Sequence, residues 1–105
     1  MNRLEQLKEM NEADPDDAFV HYALAKEYEY AGMPETALEC YNGLMKNHPQ
    51  YVGLYYHLGS LLEKLSDPQK ALVVYEKGIS IAKELKDFHA LSELQSAKMN
   101  LETEV

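Results

Sequence analysis

A chain of 105 residues has room for one compact domain, in which roughly two-thirds of the unfolded surface can be buried. With 46% apolar and 27% charged residues the composition is that of a folded, water-soluble domain, which excludes disordered, collagen-like and membrane-spanning classes. Ten basic against 18 acidic side chains leave a formal charge of −8, which repels a phosphate backbone, so neither nucleic acid nor an anionic membrane is expected as a partner.

The first apolar pattern is Leu4, Leu7 and Met10, a short helix over 1–14 that ends at Asp14-Pro15. In the next segment His21, Leu24, Ala25 and Tyr28 share one helical face, and Gly32-Met33-Pro34 breaks it. A second helix over 35–47 follows, with Ala37, Leu38, Tyr41, Leu44 and Met45 on one face, Pro34 at its start and Pro49 beyond its end. The scheme then recurs. Leu54, Tyr55, Leu58, Gly59 and Leu62 form a stripe, Ser66-Asp67-Pro68 breaks it, and Ala71, Leu72, Tyr75 and Ile79 resume. With no proline at Lys83 this helix can run on to Lys86, and Asp87 suits the N-cap of a last helix bearing Ala90, Leu91, Leu94, Ala97 and Leu101.

Shifting the chain by 34 residues brings 18–51 onto 52–85 with identities at Tyr22/Tyr56, Leu24/Leu58, Glu29/Glu63, Pro34/Pro68, Ala37/Ala71, Leu38/Leu72 and Tyr41/Tyr75. Pro15 and Pro49 keep the same spacing, and Ala25 stands opposite Gly59. Small residues at Ala25, Gly59, Ala37 and Ala71 let two helices approach to about 8–10 Å.

The period, the small residues, Tyr41 and Tyr75, and the prolines together resemble the tetratricopeptide repeat. Departures are His21 and Tyr55 where the family favours tryptophan, Leu62 for an aromatic, Leu44 and Gly78 for alanine, and Lys83 for a closing proline. The resemblance implies an all-α fold: a short right-handed α-α superhelix of about five antiparallel helices. Its parts would be one domain over 1–105, with a half-repeat helix in 1–14, repeats in 18–51 and 52–86, and a capping helix in 87–102.

Catalysis finds little footing. There is no Gly-rich phosphate loop and no nucleophile elbow, and His21, His48, His57 and His89 lack the ligand spacing of zinc sites. No enzyme, cofactor or metal is expected. Cys40, the only cysteine, allows no intramolecular disulfide and suits a reducing compartment. The N-terminal decapeptide lacks the apolar core of a secretory signal, so a cytoplasmic location is expected, and Met1 suits a whole chain.

Eight tyrosines point elsewhere. Phe19, Tyr22, Lys26, Glu29 and Tyr30 form a second stripe on the helix that begins the first repeat, and Tyr56, Ser60, Glu63 and Lys64 form one on its counterpart in the second. In tetratricopeptide arrays this face lines a concave groove, so the resemblance implies a groove with Tyr22 beside Tyr56 and Glu29 beside Glu63. Tyrosine offers a broad contact at low entropic cost, and the glutamates would favour a basic ligand. The alternative is that the tyrosines cover the edge of the core and the glutamates keep the face soluble. One branch of the family grips a C-terminal carboxylate with lysine, arginine and asparagine; only Lys26 could serve here, so that clamp is not expected. The expected function is a protein-binding adaptor or scaffold, monomeric or weakly dimeric, for a protein or peptide partner of basic character. The alternative function is a self-assembling subunit that pairs through the array ends.

Overall fold

The computed structural model describes residues 2–104, all of whose regular structure is helical. In chain order the helices are α1 (Arg3–Ala13), α2 (Ala18–Tyr30), α3 (Pro34–Asn47), α4 (Gly53–Lys64), α5 (Pro68–Leu85) and α6 (Phe88–Glu104). The described residues thus hold six helices where about five were expected; each lies on one of the six helical patterns read from the sequence, so the expected total was one too few.

Side-chain caps explain where most of these helices begin. The Asn2 amide oxygen accepts from Glu5 N–H at 2.8 Å, and Asp17 accepts from Phe19 and Val20 N–H at 3.0 and 3.4 Å. Asp67 and Asp87 do the same for Lys70 and Ala90 N–H, at 3.2 and 3.0 Å. Each carboxylate satisfies an orphan donor and places its charge at the positive end of a helix dipole. Helix α3 has no side-chain cap, but Pro34 occupies its first turn, where the missing N–H costs nothing.

The helix ends repeat as faithfully. Gly32 turns α2 off at φ +75°, with Met33 N–H donating to the Tyr28 carbonyl at 2.9 Å. Ser66, 34 positions on, closes α4 at φ 62° with Asp67 N–H on the Leu62 carbonyl, and Lys86 closes α5 at φ 57° with Asp87 N–H on the Ala82 carbonyl. All three have the six-to-one bond of a Schellman ending. Helix α3 stops before Pro49, whereas α5, with no proline to stop it, extends to 18 residues.

The chain forms two compact units, one ending at Tyr51 and the other starting at Val52. In the first, α2 packs against both α1 and α3. Leu7, Val20, Ala23 and Leu24 make a cluster completed by Leu4 and Tyr28, while Ala25, Ala37, Tyr41 and Leu44 are also buried. In the second, α4, α5 and α6 each pack on the other two. Leu54, Tyr55, Leu58, Ala71, Tyr75, Ala82, Leu94 and Leu101 are its buried side chains of most consequence.

Close approach in the second unit depends on two glycines. A Cβ on Gly59 would lie 2.2 Å from Tyr75 Cε1, and one on Gly78 would lie 2.5 Å from Tyr55 Cβ and 3.0 Å from Leu94 Cδ1. The unit thus fits large rings where a helix presents bare backbone. This accounts for Gly78, where the family favours alanine: the room is taken by Tyr55. At the corresponding positions the first repeat carries Leu44 and His21 instead. His21 is half-buried, its Nε2 paired with the Pro15 carbonyl at 2.5 Å.

No helix among the described residues is long and apolar enough to cross a membrane.

Candidate functional site

On α2, Phe19 is exposed, Tyr30 is 80% exposed at the C-terminal end, and Tyr22 and Lys26 lie half-buried between them. The Tyr22 ring packs on Tyr51 with centroids 5.3 Å apart and planes at 50°, and the Lys26 ammonium sits 5.5 Å from the Tyr22 centroid. An aromatic pair with a cation on one face holds all three side chains in place, and the cation–π contact is worth about 0.5–1 kcal/mol at such a partly exposed site. Burial, then the charge of Asp17, raises the Tyr51 phenol above the ordinary tyrosine range.

Glu29 has a second occupation that the sequence did not reveal. The Tyr41 hydroxyl, from the 0%-exposed ring of α3, donates to the Glu29 carboxylate at 2.5 Å. In the second unit the Tyr75 hydroxyl donates to Glu63 over the same distance, again between residues 12 apart. Burial first, then the hydrogen bond to the carboxylate, drives both phenols well above the ordinary range. Each buried ring needs an acceptor for its hydroxyl, and a charged acceptor contributes about 1.5–3 kcal/mol. The recurrence of glutamate and tyrosine together at the repeat spacing was the one signal of this pairing. The glutamates therefore tie the two helices of each repeat, with a ligand role at most shared with that duty.

On α4, Tyr56 is 39% exposed and stands edge-on to His57, with centroids 5.5 Å apart and planes at 82°. Ser60 is half-buried and Lys64 exposed at the helix end. Beside Tyr56 the structure opens a pocket of about 310 Å³ that sequence reasoning missed. Its other wall is α6, which contributes His89, Ser92, Glu93, Ser96 and Asn100, at helical spacing on one face, with Ala97 among them. His89 Nε2 lies 3.5 Å from a Glu93 carboxylate oxygen. The first unit has a shallower opening of about 410 Å³, with Ala18, His48 and Tyr51 among its lining residues, where His48 Nε2 meets Asp16 at 3.1 Å.

The Cys40 thiol is half-buried, and burial, then Glu39, raises its pKa, which lowers its reactivity. Among the described residues no group of three or more histidine, cysteine, aspartate or glutamate side chains is placed to hold a metal ion.

Comparison with known proteins fits this architecture. The tetratricopeptide-repeat family model matches residues 52–85. A tetratricopeptide repeat domain protein from Salinibacter ruber is 42% identical, with a TM-score of 0.83 over 86% of this chain and 91% of that one. At that identity and coverage the family is shown: the chain belongs to the tetratricopeptide-repeat proteins. The same fold occurs in the TPR2B domain of yeast Sti1, solved as a complex with pHsp70 (TM-score 0.88, 15% identity, 97% of this chain and 82% of that one). It occurs also in the Yersinia enterocolitica type III secretion translocator chaperone SycD (TM-score 0.86, 11% identity, 96% and 70%). Among curated proteins none matches the chain.

Proposed function

We propose that this protein is a cytoplasmic, non-catalytic adaptor or scaffold that binds a segment of another protein, basic in charge, along the first-helix faces of its repeats. The observation behind this reading is the set of side chains left in solvent on α2 and α4, where Phe19, Tyr30 and Tyr56 are exposed beside Tyr22, Lys26, Ser60 and Lys64. Exposed aromatics with polar neighbours are the composition of binding hot spots. A formal charge of −8 favours encounter with a cationic partner. Two proteins of this fold, the yeast domain solved with pHsp70 and the Yersinia translocator chaperone, are by their descriptions involved with other proteins.

The test is capture from a native lysate by the wild type and by Tyr22→Ala/Tyr56→Ala. A discrete partner retained by the first and lost by a mutant that still unfolds cooperatively supports the reading. Loss of fold along with binding would assign the two tyrosines to the core.

A second reading, self-assembly, is favoured by the exposed apolar side chains at the end of the chain: Leu85, Phe88 at 70% exposure, and Met99. Sedimentation of the wild type against Phe88→Glu tests it, since a dimer held there would dissociate.

A further inference from the structure

The pocket between α4 and α6 is built from unlike parts. Tyr56 contributes a ring kept upright by its edge contact with His57, and α6 contributes acceptors along about two turns: the Glu93 carboxylate, the Ser92 and Ser96 hydroxyls and the Asn100 amide oxygen. No lysine or arginine lines it, and Ala97 leaves the space between the polar side chains unfilled. Glu93 differs from Glu29 and Glu63 in that no tyrosine hydroxyl occupies it; its side chain is 50% exposed beside His89.

An aromatic face, one carboxylate with the His89 ring beside it, and several neutral acceptors are complementary to a flat cation rich in donors. A guanidinium stacks flat on a tyrosine ring and presents five donors in a rigid fork, so it can meet a carboxylate and hydroxyl or amide oxygens at once. An ammonium is a point charge with three donors and no flat face. A volume of about 310 Å³ admits one long side chain, and the pocket's opening lets the rest of a peptide pass outside it.

We propose that this pocket receives an arginine side chain of the partner, its guanidinium stacked on Tyr56 and hydrogen-bonded to Glu93 with support from Ser96 and Asn100. This inference rests on the adaptor reading and names the side chain that the second unit selects.

The probe is acetyl-Gly-Arg-Gly-amide, titrated into isotope-labelled full-length protein and followed through the backbone amide resonances. The expected result is a saturable shift of the resonances of Tyr56 and of residues 89–100, with affinity about tenfold weaker for Glu93→Gln, as loss of a charge-assisted hydrogen bond requires. The peptides with citrulline or lysine in place of arginine should bind more weakly than arginine. Glu93 is exposed enough that Glu93→Gln should keep the wild-type melting temperature, so its loss of binding is not a loss of fold. Shifts that miss α6, or citrulline or lysine binding as tightly as arginine, would overturn the proposal. Because this assay uses no captured partner and does not alter Tyr22 or Tyr56, its failure leaves the adaptor reading standing. That reading falls only if the folded Tyr22→Ala/Tyr56→Ala protein keeps its partner.

Discussion

Changing Gly59 to alanine and changing Gly43 to alanine put the same methyl group inside a helix, yet the two should move stability in opposite directions. Both exchanges gain helix propensity, about 0.5–1 kcal/mol. At Gly43 nothing lies within 4 Å of the new Cβ, so the gain stands alone. At Gly59 the Cβ falls 2.2 Å from Tyr75 Cε1 and 2.7 Å from Cδ1 and Cζ. That ring is 1% exposed, and its hydroxyl is tied to Glu63, so it cannot swing aside freely. Overpacking costs about 1–3 kcal/mol, and weakening a hydrogen bond to a charged acceptor adds up to about 1.5–3. Gly59→Ala should therefore lose up to about 5 kcal/mol net, while Gly43→Ala gains up to about 1. In a domain of this size each kcal/mol moves the melting temperature by about 4–8 °C, so thermal unfolding followed by circular dichroism resolves both signs. A Gly59→Ala protein as stable as the wild type, or a Gly43→Ala protein less stable, would refute the packing described for α4 and α5.

Further predictions concern the helix ends and the buried tyrosines. Ser66→Gly should raise stability by up to about 1 kcal/mol, because serine at φ 62° is strained where glycine is not, and Gly32→Ala should lower it by a similar amount, both read as urea midpoints. Below pH about 10 the Tyr41 and Tyr75 phenols stay protonated in both folded and unfolded chains, so their titration adds no pH dependence to stability. Above that pH the unfolded chain loses phenol protons that the folded protein, with both affinities raised, retains. Unfolding free energy should then fall by about 1.4 kcal/mol per pH unit for each tyrosine, and Tyr41→Phe/Tyr75→Phe should flatten that decline in alkaline denaturant titrations. A double-mutant cycle of Glu63→Gln with Tyr75→Phe should return a coupling of about 1–3 kcal/mol; additive effects would show that the carboxylate does not serve the ring.

Much of the fold could be read from the chain because its signals are local. Proline at Pro34 and Pro68, aspartate at Asp87, and the spacing of Leu24, Leu58, Ala37 and Ala71 each act within a turn or a helix face, whereas the caps at Asp17 and Asp67 emerge only from the structure. Ser66 and Lys86 at positive φ were hidden, since neither residue type favours that conformation and only the hydrogen bonds of the helix end impose it. The faces of α2 and α4 were legible as stripes, but the use made of each side chain depends on a neighbouring helix. Glu29 and Glu63 read as ligand contacts until Tyr41 and Tyr75 are seen to donate to them. The α6 wall of the pocket was missed for a related reason. His89, Ser92, Ser96 and Asn100 look like ordinary solvent-facing residues, and only the packing of α6 against α4 brings them to Tyr56.

The central proposal is that the partner binds on the first-helix faces, α2 in one unit and α4 in the other, and it is tested most directly by calorimetric titration of a captured partner into purified variants. Tyr22→Ala/Tyr56→Ala should abolish binding, while Val73→Ala/Met99→Ala, changed at two exposed positions off those faces, should bind as the wild type does. Undiminished binding by a folded Tyr22→Ala/Tyr56→Ala protein, with loss in the Val73→Ala/Met99→Ala protein, would contradict it.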